Sequence, residues 1–276
     1  VLRAARAIVD GQTIAYATEG VGYPLLLLHG LGFDQRAWAL VAPFLAGHFR
    51  LIIPDMPGIG SSRAASWARW EETPEAMVRL YGGFLTATQA VPAYLAGAGF
   101  GGVLALALAA RFPERVLGVV VVGGLGLELW PTNRQSTTLR SLVSMPWLLD
   151  LLAQTTPHRH ARQFLRDSFA SGEPPDELVT VVAGVLQDPI SRQALIRTII
   201  RLDRWKPLLR GLGGVRAPTL LVWGERDRVV GLPEAERLRH AIPAAQIMTL
   251  PDAGHALTIE RPADVAAIIR KFGQRA

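Results

Sequence analysis

Three places, the first a pair of turns, hold the residue types that acid–base and nucleophilic chemistry need. Asp227 closes the turn Gly224-Glu225-Arg226-Asp227, and His255 closes Asp252-Ala253-Gly254-His255. An acid and then a histidine, each just past an apolar run, form an acid/base pair in the order that nucleophilic catalysis uses: the carboxylate orients the imidazole, and the imidazole takes the proton. The second segment is His29-Gly30-Leu31-Gly32, after the apolar run at 25–28. The third is Gly97-Ala98-Gly99-Phe100-Gly101-Gly102, between an apolar run and an Ala/Leu stretch. All of these lie where strands end, which is where open α/β sheets bind their ligands.

The rest of the chain must position those turns. Residues 7–10 and 13–18 read as a hairpin around Asp10-Gly11. Short Val/Leu/Ile runs at 24–29, 49–54, 93–96, 116–122, 219–223 and 245–250 read as buried strands. Helices are expected at 36–45, at 73–89 with Thr73 as cap and Pro74 in the first turn, from the glycine-rich turn through Arg111, and at 263–272. The alternation predicts the α/β class: a mostly parallel central sheet with helices on both faces. Residues 125–207 differ. They show no strand-like alternation and are broken at Pro131, Pro146, Pro157, Pro174-Pro175 and Pro189. We read them as four or so short helices forming a cap, since so long a strandless stretch exceeds one crossover. The expected organisation is therefore 1–124, first part of the core; 125–207, helical cap; and 208–276, second part of the core.

Composition narrows the classes. The chain has 276 residues, 50% of them hydrophobic, which excludes a disordered segment. With no cysteine there is no disulfide and no thiolate metal site. The formal charge is +6, but Lys206 and Lys271 are the only lysines and the arginines are scattered. No polybasic cluster marks a nucleic-acid partner. The longest apolar runs, at 25–28, 103–110 and 116–122, fall far short of the roughly 18 residues that span a bilayer. Residues 1–11 lack the apolar core of a signal peptide, so a cytoplasmic location and no membrane partner are expected. No metal or organic cofactor is implied, the expected partner is a small hydrophobic molecule, and no signal of oligomeric state is present.

Taken in order, the His-Gly strand end, the turn Asp55-Met56-Pro57-Gly58-Ile59-Gly60-Ser61-Ser62, the elbow at 97–101, the Gly-x-x-Asp turn and the Asp-x-Gly-His terminus resemble the α/β-hydrolase superfamily. The likeness covers nearly the whole chain. It points to the capped branch that includes esterases, lactonases, meta-cleavage C–C hydrolases and epoxide hydrolases. It implies His255 as general base, Asp227 as its orienting acid, and the backbone N–H groups of Leu31 and Phe100 as oxyanion hole.

One departure matters. The serine members carry Gly-x-Ser-x-Gly at the elbow, and here Gly99 stands at the nucleophile position. No acyl-enzyme can form there, so a hydrolase with this sequence is expected to be nearly inactive. A natural change of chemistry and an engineered nucleophile removal both fit. Three expectations follow: an ester, lactone or acyl hydrolase with its nucleophile replaced; a lyase, isomerase, cyclase or decarboxylase using His255–Asp227 without a covalent intermediate; or a receptor-like binding fold. Gly97, Gly99 and Gly102 also fit the dinucleotide pattern G-x-G-x-x-G, but the acid it needs about 20 residues on is missing, Glu114 and Glu128 being the nearest.

Weaker candidates complete the set. Asp34 is read either as a substrate contact or as a helix N-cap. Trp130 and Trp147, with Met145 and Leu148, are read as pocket lining or as the cap's own core. His29 is expected to be structural, Ser61 and Ser62 to be turn residues, and His158 and His160 lack a third metal ligand.

Overall fold

Asp10 and Gly11 both adopt positive φ, 49° and 75°. This two-residue turn matches the twist of the strands it joins. It pairs β1 (Arg3–Val9) with β2 (Gln12–Glu19) in antiparallel register, Val9 opposite Gln12. The structure is a computed structural model describing residues 2–62, 73–130 and 143–274. Six more strands follow: β3 (Tyr23–Leu28), β4 (Phe49–Pro54), β5 (Ala93–Gly99), β6 (Val116–Gly124), β7 (Thr219–Gly224) and β8 (Ala245–Leu250). The sheet order is β1-β2-β4-β3-β5-β6-β7-β8. It is parallel from β4 to β8, and β1 and β2 form its antiparallel edge.

Successive side chains of a strand point to opposite faces, and both faces here are covered. Leu26, Leu28, Leu95, Val119 and Val121 pack in one core, with α2 (Pro74–Ala87) and α3 (Phe100–Arg111). Leu25, Leu27, Ala96, Val120 and Val122 pack in the other, with Trp38, α1 (Ala42–Leu45) and the C-terminal helix. Continuous apolar runs are what such doubly covered strands require. Thr73 caps α2 as expected, its hydroxyl accepting the Ala76 N–H at 3.2 Å.

The helix expected over 36–45 is not continuous. A 3-10 turn, Gln35–Trp38, is followed by the separate four-residue α1. Pro43 sits in the first turn of α1 and has no N–H to carry a hydrogen bond back into the preceding turn.

Between β6 and β7 the described residues form helices and no strand: α4 (Pro146–Thr155), α5 (Pro157–Ser168), α6 (Asp176–Gln187), α7 (Pro189–Ile200) and α8 (Lys206–Leu209). Three of the prolines that break the sequence pattern are helix starts. Pro146, Pro157 and Pro189 each occupy the first helical position, where the missing N–H would have had no partner. Pro131 lies outside the described residues. After β7 come α9 (Leu232–Ala241), α10 (Leu257–Glu260) and α11 (Pro262–Gly273).

The β5–α3 junction shows why glycines crowd there. A Cβ on Gly101 would stand 2.3 Å from the Leu28 carbonyl oxygen, and one on Gly97 would stand 2.2 Å from Gly101 backbone atoms. Helix and strand touch backbone to backbone. Gly101→Ala is expected to destabilise the fold by about 3 kcal/mol or more, since the clash is with backbone that cannot rotate away. Denaturant unfolding of the variant measures it.

Candidate active site

β3, β5, β6, β7 and β8 are parallel, so the turns after them gather along one edge of the sheet. Gly99 ends β5 with φ 53° and ψ −119°. This region is one that L side chains rarely adopt, and Gly enters it at little steric cost. Its surroundings differ from those of its neighbours. A Cβ built on Gly99 would meet the Gly30 Cα at 3.7 Å, the His255 Nε2 at 3.8 Å and the Gly123 carbonyl oxygen at 3.9 Å. Those are ordinary contact distances. Gly97 and Gly101 are required by crowding; Gly99 is favoured only by its backbone angle.

Asp227 and His255 meet as the sequence order implies. His255 Nδ1 lies 2.8 Å from Asp227 Oδ2. Asp227 is fully buried, and its Oδ1 accepts the N–H groups of Val229 at 2.9 Å and Val230 at 2.8 Å. That grip fixes the carboxylate, and the bond to Nδ1–H fixes the imidazole tautomer, leaving Nε2 with its lone pair toward Gly99. Burial pushes the His255 pKa down. The Asp227 charge and hydrogen bond, with the field of Glu260, push it up and prevail, so it stands above the ordinary value.

Leu31 and Phe100 both line the cavity beside Gly99. Phe100 is the first residue of α3, where an N–H has no intrahelical acceptor. His29 is buried and structural: Nδ1 is 2.9 Å from the Gly30 carbonyl oxygen, and Nε2 accepts the Met56 N–H at 2.9 Å. Burial holds its pKa down. The Ser62 hydroxyl accepts the Ala15 N–H at 2.8 Å, and Asp55 accepts the Ser61 backbone N–H at 2.7 Å, so the turn holds both residues, Ser61 through its main chain.

Two of the candidate substrate contacts lie away from the cavity. Asp34 does not line the cavity. Its side chain is buried, caps the 3-10 turn by accepting the Arg36 N–H at 2.9 Å, and pairs with the Arg36 guanidinium at 2.6 Å. Burial raises its pKa, but Arg36 outweighs that and holds the carboxyl below its usual value. Trp147 is 67% exposed and lies outside the cavity, because α4 turns none of its residues fully inward. Trp130 is buried and does line it. Glu114 and Glu128, the acids a dinucleotide site would need, do not.

The cavity measures about 360 Å³. Gly99, Phe100 and His255 form its floor. Its walls are mostly apolar side chains from β6, the loop after it and the inserted helices, among them Leu129, Val182, Leu195 and Ile199. Those wall positions were not legible in the sequence, since they depend on which face each helix turns inward.

The inserted helices are also tied to the histidine loop. The Ser168 carbonyl at the end of α5 accepts the N–H groups of His255 at 2.8 Å and Ala256 at 2.9 Å. Glu260 accepts the Gly254 N–H at 2.7 Å and the Ala170 N–H at 2.8 Å. Glu260→Ala orphans two partly buried donors. It is expected to lower stability by about 2–4 kcal/mol, at roughly 1–2 kcal/mol per donor, as thermal or denaturant unfolding would show.

Residues 23–262 match the family model described as alpha/beta hydrolase fold. The chain belongs to the α/β-hydrolase fold family. Similar proteins include 2-hydroxymuconate semialdehyde hydrolase of Pseudomonas sp. (strain CF600). It is 30% identical over 271 residues, which cover 92% of this chain and 88% of that protein. Lipase 3 of Moraxella sp. (strain TA144) is 27% identical over 274 residues, covering 96% and 82%. Among solved structures, a meta-cleavage product hydrolase from Pseudomonas fluorescens IP01 superposes with a TM-score of 0.80 at 25% identity, covering 98% of this chain and 97% of that one. These relatives of the α/β-hydrolase chain are hydrolases. Among its described residues no helix is long and apolar enough to cross a membrane.

Proposed function

We propose that this α/β-hydrolase takes an apolar ester, lactone or related acyl substrate into the cavity beneath a helical cap at 125–207. The carbonyl would face the Leu31 and Phe100 N–H groups, and His255, held by Asp227, would serve as base. Gly99 removes the covalent step, so turnover as written is low. The observation that carries this reading is the position of the missing side chain. A Cβ at residue 99 would stand 3.8 Å from His255 Nε2 without a clash, which supports a site with room for a nucleophile that the sequence omits. The test is hydrolysis of a panel of short and long acyl esters and lactones by the chain and by Gly99→Ser, with a serine-directed covalent probe read by mass. Turnover and labelling by Gly99→Ser alone support the reading; silence from both overturns it.

A second reading rests on the base itself. His255 keeps Asp227 at 2.8 Å although residue 99 offers it no proton. That arrangement suits direct abstraction from a substrate or from water, as in a lyase, isomerase, cyclase or decarboxylase. Turnover by the unaltered chain that is lost in His255→Ala, and not raised by Gly99→Ser, would favour it.

A further inference from the structure

His160 stands on the wall of the cavity, on α5, among apolar neighbours. Its Nε2 is buried and finds no hydrogen-bond partner among the described residues. A buried polar atom left unpaired carries a desolvation penalty, and native structures keep few of them. The residue that carries it lines the cavity, so the partner can come with a ligand once the ring turns toward it.

The position sets a length. The end of α5 is fastened to the catalytic loop, where the Ser168 carbonyl accepts the His255 N–H. His160 lies eight residues back, about 12 Å along the helix axis at 1.5 Å per residue. The polar atom is therefore well removed from the carbonyl-binding end. The charge around it sets a class. Among the described residues no Lys or Arg lines the cavity, while Asp167 lines it on the same helix. A carboxylate at the far end of a substrate would meet that acid, so the fitting group is neutral.

Resting on the acyl-substrate reading above, we propose that His160 determines specificity, receiving a neutral hydroxyl or carbonyl carried by an otherwise apolar substrate at the end far from the scissile bond. Sites built to hydrogen-bond a hydroxyl discriminate strongly against the analogue that lacks it, because their own polar atom is then left unpaired.

The unaltered chain suits the test, having no nucleophile to consume an ester. Calorimetric titration would compare methyl 8-hydroxyoctanoate, methyl octanoate and the monomethyl ester of octanedioic acid. The hydroxy ester is expected to bind about ten-fold tighter than methyl octanoate, and the acid to gain nothing. His160→Phe should abolish the hydroxyl preference while keeping methyl octanoate affinity, and His160→Gln should retain part of the preference. Equal affinities in the unaltered chain, a preference that survives His160→Phe, or tighter binding of the acid would each overturn the proposal. Binding of none of the three esters would sink the acyl-substrate reading as well, which separates that failure from failure of the His160 assignment alone.

Discussion

Gly99→Ser is expected to raise ester hydrolysis by on the order of 10³-fold, and to make residue 99 the site of labelling by a serine-directed probe. The gain follows from what is already in place. Asp227 holds His255 at 2.8 Å, and the imidazole Nε2 would face the new side chain from 3.8 Å at its Cβ, within hydrogen-bond reach of a hydroxyl one bond further out. The apolar cavity and the helix-first N–H of Phe100 need no rearrangement. A triad stripped of one member works little better than one stripped of all three, so restoring the absent member recovers most of what the other two can do. The substitution has a cost. At φ 53° a serine carries backbone strain of about 1–3 kcal/mol, so the variant should gain activity while losing stability. Gly99→Ala separates the effects, because it bears the same strain and fills the same space without a hydroxyl. It is expected to match the stability loss of Gly99→Ser and show none of its gain. If Gly99→Ala and Gly99→Ser are equally inactive against every ester tried while both stay folded, position 99 is not a vacated nucleophile site.

The site's floor was legible because each part is local. A short apolar run followed by Gly-rich or Asp/His-bearing turns places a residue at a strand end, and parallel pairing carries those ends to one edge whatever the helices do. Asp227 and His255 stood out in this way, Leu31 and Phe100 were implied by the family resemblance, and Trp130 was singled out by its type. The walls were less legible. Trp147 and Trp130 look alike in sequence, yet one is exposed and the other buried, because the orientation of α4 is decided by packing against other helices. Asp34 carries a cap signal and a cleft signal at once; Arg36 two residues on decided between them by pairing with it. His160 is one of two histidines spaced as a poor metal pair, and only the cavity shows what its ring faces. Glu260 lies five residues past His255 with no motif around it. Its tie to Ala170 spans 90 residues of chain, and no local pattern encodes such a contact.

Asp227→Asn, placed in the Gly99→Ser background, is expected to lower kcat by on the order of 10³-fold, giving back most of the gain from the serine, with the fold retained. The amide is nearly isosteric, and its oxygen can still accept the Val229 and Val230 N–H groups. Its NH₂ then faces His255 Nδ1, which must accept instead of donate. The imidazole takes the other tautomer, and Nε2 carries a proton where the serine hydroxyl needs an acceptor. The pH profiles give the signature that simple loss of packing would lack. With Asp227 present, the His255 pKa stands above 6.5, so activity should rise with pH through a midpoint above that value. Stability runs the other way. A histidine whose folded pKa is raised contributes stability that is fully present below its unfolded pKa and is lost as pH rises through the folded one. In the same window the enzyme therefore gains rate as it gives up this increment. Removing the Asp227 charge leaves burial as the main influence on His255 and drops its pKa, so the rate midpoint should move to lower pH and the loss of stability with rising pH should disappear. A rate midpoint that stays in place in Asp227→Asn would show that another group is the base.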